Sequence, residues 1–194
     1  MNARTTLILL IVLAVLGGYV YLFELEGNNS GGDEPPAIWG TPYSEYDIVE
    51  LEIFGPASIA HFARTQETLT QDWAMLQPSP LAPDQLDQAR VNGAATRLGQ
   101  LTASQVITGV TNLAQYGLDP PELTTTLTIS NGQKITLYAG AVTPLDENRY
   151  LQINSDPQSV YLVFGFAVDD LLRLLAGPPL KPARPVVSTP ATAP

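Results

Sequence analysis

The chain has 194 residues, a formal net charge of −10 at pH 7 and no cysteine. The missing thiols exclude disulfides, thiolate catalysis, iron–sulfur ligation and lipid attachment at an N-terminal cysteine. All 19 acidic residues follow Phe23, as do eight of the nine basic ones, and so negative a surface repels nucleic acid and anionic lipid headgroups.

Residues 7–23 read LILLIVLAVLGGYVYLF, from Leu7 to Phe23, without a charge. As a helix this run spans roughly 25 Å, and Thr5 and Thr6 bring it close to the ~30 Å thickness of a bilayer's hydrocarbon. Arg4 precedes it, and Glu24, Glu26, Asp33 and Glu34 follow it. The positive-inside rule therefore predicts a cytoplasmic segment 1–6, a transmembrane helix 7–23 held in the lipid bilayer, and an extracytoplasmic remainder. A cleaved signal peptide is the rival reading, but the apolar run is long and no small-residue cleavage site follows it. Residues 24–42, rich in Gly, Asn, Ser and Pro, read as a flexible linker.

From Asp47 the pattern has period two: Val49, Leu51 and Ile53 alternate with Glu50 and Glu52, as in a half-buried strand. Gly55-Pro56 predicts a turn, residues 58–65 a second strand and residues 71–76 a third, an antiparallel meander. Pro83 suits the first turn of a helix, with Asp84 and Asp87 at its positive end. Leu86, Val91, Ala94, Ala95, Leu98 and Leu101 form its apolar stripe, running to Gln100 or Leu101. Residues 104–108 suit a short strand and 111–121 an irregular connection. The clearest hairpin follows: LTTTLTIS, Asn131-Gly132, QKITLYAG, with Leu123, Thr125, Leu127 and Ile129 on one face and a type I′ turn expected at Asn-Gly. Residues 149–154 and 159–164 predict two more strands joined by a turn around Asp156-Pro157. Val168, Leu171, Leu172 and Leu175 mark a final amphipathic helix. Residues 178–194 are proline-rich and suit a disordered tail. The fold class is thus α+β: a transmembrane helix, then antiparallel β-meanders with two packed helices in a domain spanning 43–177. The two meander-plus-helix halves have the spacing of a diverged internal repeat.

Several pieces then combine: Asp72-Trp73, the proline-rich step to Asp84, Tyr116-Gly117-Leu118-Asp119-Pro120-Pro121, the Asn131-Gly132 hairpin, Ala139-Gly140, Arg149-Tyr150-Leu151 and Val160-Tyr161-Leu162-Val163. With the anchor, this pattern resembles the bacterial DUF4340 family, a domain of unknown function, over roughly residues 47–175. The resemblance implies an accessory role in the cell envelope, in the company of ABC-transporter systems of the gliding-motility type. It supplies no catalytic residue.

The residues themselves supply none either. His61 is the only histidine, with no second histidine or cysteine to share a metal, and reads as structural. Asp169-Asp170 are explained by helix-end electrostatics. Without a nucleophile elbow, a phosphate loop or a zinc-protease motif, the chain reads as a non-enzyme with no cofactor and no metal. The residues singled out for an interaction or structural loop are Tyr116, Gly117, Leu118, Asp119 and Pro120, together with Trp73. Tyr116 is expected to pack and Gly117 to take a positive φ. The expected partner is another envelope or membrane protein; the alternative is a module that binds a small molecule or glycan.

Overall fold

The alternation from Asp47 onward becomes the centre of one eight-stranded sheet. In a computed structural model, which describes residues 37–44, 46–65, 71–144 and 147–182, the strands are β1 (Ile48–Phe54), β2 (Ile59–Arg64), β3 (Trp73–Gln77), β4 (Ala103–Thr108), β5 (Leu123–Ile129), β6 (Lys134–Val142), β7 (Asn148–Ile153) and β8 (Asp156–Phe164). Helix α1 (Gln88–Gly99) follows β3, and helix α2 (Phe166–Ala176) follows β8. The strand order is β3-β2-β1-β5-β6-β7-β8-β4, antiparallel at every pairing. Each run of strands walks outward from the β1–β5 seam and is followed by a helix, which gives the expected α+β class. The expected transmembrane segment 7–23 lies outside the described residues, among which no helix is long and apolar enough to cross a membrane.

Period-two alternation decides which face the helices cover. Leu51, Ile53, Phe62, Trp73, Met75, Leu127, Leu137 and Leu151 point to one side, where they meet Val91, Ala94, Ala95 and Leu98 of α1 and Val168, Leu171 and Leu174 of α2 in one core. The predicted stripe of α1 is buried throughout, and Leu123, Thr125, Leu127 and Ile129 are buried together as expected. Edge strand β3 is protected: Gln88 at the start of α1 accepts from Trp73 N and donates to Trp73 O, and Met75 forms a bridge with Leu81.

The structure departs from the periodicity in a few places. A bulge between Ile48 and Glu50 turns Ile48 inward, leaving Val49 half-buried. Pro83 opens a separate 3-10 turn, Pro83–Gln85; Leu86 is extended and buried, and α1 starts only after the Asp87 cap, whose carboxylate accepts from Arg90 N. The Asn131-Gly132 turn is not type I′, which needs a positive φ at both residues. Only Gly132 has one (+87°), and Gly132 N donates to Ile129 O while Ile129 N donates to Gln133 O. That is a three-residue loop ending in a glycine bulge. The next turn falls at Asn154-Ser155, with Asp156 and Pro157 inside β8, where the pairing is irregular and no ladder bond is asked of Pro157. In α2, Ala167 and Leu174 are buried, while Leu172 and Leu175 pack half-buried on the core.

The fold also takes in the inner ends of the predicted linker and tail. Ile38, Trp39 and Tyr43 pack on the core: Trp39 Nε1 donates to Leu98 O at 2.7 Å, and Ile38 N to Leu101 O at 3.2 Å. At the other end Leu180 bridges Leu86, and Asp87 N donates to Pro179 O.

Candidate functional site

Strand β4 occupies the edge beyond β8, so the chain must cross β8, β7 and β6 to reach β5. Residues 109–122 make this crossing and carry the YGLDPP segment. Val110 N donates to Gln158 O on β8. Tyr116 closes a 3-10 turn, and its ring meets Tyr150 of β7 edge-on at 4.9 Å. Gly117 has φ +66°, as expected, and a Cβ there would come within 2.8 Å of Ala141 N. A Cβ on Gly140 would lie 2.3 Å from Tyr116 O, so Gly117 and Gly140 together let two backbones touch. Leu118 is buried, the Asp119-Pro120 peptide is cis, and Asp119 and Pro120 are exposed.

Just beyond this segment Arg149, 8% exposed on β7, joins three elements. Its guanidinium donates to Glu122 at 2.5 Å and lies 3.5 Å from both Gly140 O and Asp169 of α2. Asp170 pairs instead with Arg97 of α1 and Arg173. Tyr116, Gly117, Leu118, Asp119 and Pro120 thus stay together as a structural crossover. Trp73 is not brought to them: it lies on β3, with β2, β1 and β5 between it and β6. It is fully buried, with Nε1 donating to Asn92 Oδ1 at 2.8 Å and the Arg64 guanidinium 4.4 Å from the ring centre.

Two features were missed in the sequence. Phe164 and Phe166 stack at 5.8 Å with 15° between their planes, though 48% and 56% exposed. Val163 turns into the core, which sends Phe164 outward; Gly165, where a Cβ would lie 2.4 Å from Glu147 O, brings Phe166 beside it. Beside the pair is a hollow of about 150 Å³, also lined by Arg97, Gln100 and Leu101. The second is on the sheet face away from the helices. Here Glu50 and Glu52 of β1 converge on His61 of β2, with ligand atoms all within 4.8 Å of one another. The Thr128 hydroxyl donates to Glu50 Oε2 at 2.7 Å, and this bond, ahead of His61, holds the Glu50 carboxyl below its ordinary range. Only the paired register reveals such a grouping, since the sequence separates His61 from Glu52 by a turn.

The family model of a domain of unknown function, DUF4340, matches residues 73–176, more than half of the chain. The chain belongs to the DUF4340 family. No curated protein and no solved structure matches it. The DUF4340 match starts at Trp73 and ends with α2, later than the Asp47 start expected from the motifs. It includes the crossover, Arg149 and the phenylalanine pair. It leaves out β1 and β2, and with them Glu50, Glu52 and His61, although these strands fill the sheet between β3 and β5.

Proposed function

We propose that this DUF4340 chain is a single-pass membrane-anchored, extracytoplasmic, non-enzymatic domain that docks another protein of a cell-envelope assembly through Phe164 and Phe166. The stacked, half-exposed pair carries this reading. Exposed aromatic rings on a strongly acidic protein are costly to leave in water, and preorganised aromatics are the commonest anchors of protein interfaces. The hollow beside them is smaller than the roughly 300–1,000 Å³ of small-molecule sites. The grooves elsewhere, about 320 Å³ between α1 and α2 and about 730 Å³ beside the 3-10 turn at Pro83, lie open to solvent. The anchor and orientation rest on residues 7–23 and the charges flanking them.

A photocrosslinking residue at position 166 of the full chain, in its native membrane, tests the docking. The expected result is a discrete protein adduct that a residue at exposed Thr108 does not give and that Phe164→Ser removes. Equal labelling from both positions would discard the docking role of the pair.

A further inference from the structure

Glu50, Glu52 and His61 are more than an ion pair. Glu50 and Glu52 lie two apart on β1 and so project from the same face, and His61 stands directly opposite Glu52 in the β1–β2 register. His61 Nε2 is 2.8 Å from Glu50 Oε1 and 3.8 Å from Glu52 Oε1. One imidazole nitrogen carries one N–H at most, so it cannot satisfy both carboxylates. Even with a protonated ring, two carboxylates and one imidazolium leave a negative charge in a half-buried place; Lys134, the other cation acting on Glu50, sits on β6, beyond β5. A divalent cation neutralises both carboxylates and binds a neutral imidazole.

We propose that Glu50, Glu52 and His61 bind a divalent transition-metal ion of the zinc class. One borderline nitrogen and two hard oxygens suit that class better than Ca²⁺ or Mg²⁺, which take oxygens alone. Bonds of about 2.1 Å in a tetrahedral site set ligand atoms about 3.4 Å apart. The distances of 2.8 and 3.8 Å from Nε2 straddle that value, and all three ligand atoms lie within 4.8 Å of one another, so modest side-chain rotation brings the set to it. Both ligand strands are held by ladder hydrogen bonds on either side, and Thr128 of β5 holds Glu50 Oε2 so that Oε1 faces the ring, the role of an outer-shell partner. Three protein ligands leave a fourth position open to water, as the side-chain exposures of 16% for His61 and 27% for each glutamate allow. The ion ties β1 to β2, outside the residues matched by the DUF4340 model.

Because His61 is the chain's only histidine, the imidazole resonance of the untagged, histidine-labelled full chain reports on one site. Titration with ZnCl₂ alone is expected to shift that resonance with one equivalent bound. Glu52→Gln, which removes no hydrogen bond to the fold outside the cluster, is expected to keep the thermal unfolding of the parent chain and weaken Zn²⁺ binding at least tenfold. CaCl₂ alone is expected to leave the imidazole unmoved. No shift with millimolar Zn²⁺, an unchanged affinity in Glu52→Gln, or an equal shift with Ca²⁺ would each overturn the assignment. If Glu52→Gln fails to fold, His61→Gln replaces it, read by calorimetry, and retained stoichiometric Zn²⁺ uptake there overturns it equally.

Discussion

Single residues in this fold are constrained by backbone contact as much as by burial. Gly117 combines a φ of +66° with a backbone neighbour 2.8 Å from where a Cβ would stand. Gly117→Val is therefore expected to destabilise the domain by about 1–3 kcal/mol, as for a strained backbone position, measured by urea unfolding. An unchanged midpoint would mean that the crossover simply lifts away from β6. The positive φ was legible because a glycine in the irregular connection 111–121 takes that conformation without strain. Its neighbour Gly140 was not, since only the fold brings residue 140 against residue 116. Tyr161 of β8 makes a prediction in pH. Burial, then the hydrogen bond its hydroxyl donates to Asp156 Oδ2 at 2.8 Å, pushes its pKa up to about 12, against about 10 for an unfolded tyrosine. The folded state thus favours the neutral phenol. That contribution is fully present below pH ~10 and disappears as the pH rises through about 12. Tyr161→Phe is expected to flatten this alkaline limb in unfolding curves taken between those pH values. A limb of the same depth in the variant would assign it to other groups.

Among the elements, local strands and hairpins were readable from alternation and turn chemistry, while their assembly was not. The β5–β6 hairpin and both helices follow from residues close in sequence. The place of β4 at the far edge does not: its exposed Ser104 and Gln105 carry no sign of the partner, which is β8 some fifty residues on. The same non-locality hid the Glu50–Glu52–His61 grouping, because cross-strand register decides which carboxylate an imidazole meets. Phe164 reads as the end of an ordinary strand and Phe166 falls between that strand and the final helix, and only the fold shows that both rings stay half-exposed. Arg149 is where the separate elements are tied. It links the crossover at Glu122, the β6 carbonyl of Gly140 and α2 at Asp169. Its side chain is 9% exposed, while those of Glu122 and Asp169 are 46% and 49% exposed, so its removal strands no buried charge. Arg149→Met is accordingly expected to cost about 1.5–3 kcal/mol, the range for charge-assisted hydrogen bonds, rather than abolish folding. It should also raise amide exchange in residues 114–122 ahead of β1 and β2. Exchange rising uniformly across the sheet would show that Arg149 supports the core as a whole and not this junction.

At the scale of the whole molecule, the folded domain begins earlier in the chain than its composition suggests. Composition drew the border at Tyr43, because residues 24–42 are rich in glycine, proline and polar groups. The structure carries the packing back to Ala37. Ala37 forms a bridge with Thr102, Trp39 packs on Tyr43 with ring centres 5.9 Å apart, and Tyr43 N donates to Gly99 O at 2.9 Å. This segment closes the C-terminal end of α1, whose last carbonyls have no partner within the helix. Leu98 O and Gly99 O are answered by Trp39 Nε1 and Tyr43 N, and Leu101 O just past the helix by Ile38 N. Gly99 is the residue that lets the segment approach, since a Cβ there would lie 2.5 Å from Tyr43 O. Linker-like composition and tight packing coexist because backbone bonds and one indole ring do the holding. Two truncated chains separate the borders. One that starts at Ala37 is expected to be soluble without detergent and to unfold in a single cooperative transition. One that starts at Tyr43 loses Trp39 and the hydrogen bonds of Trp39 and Ile38, worth about 1 kcal/mol each before the burial of the indole is counted. It is expected to be less stable by on the order of 3 kcal/mol, seen as a lower urea midpoint with the same slope. Equal midpoints would restore the border to Tyr43 and leave residues 37–42 outside the cooperative unit.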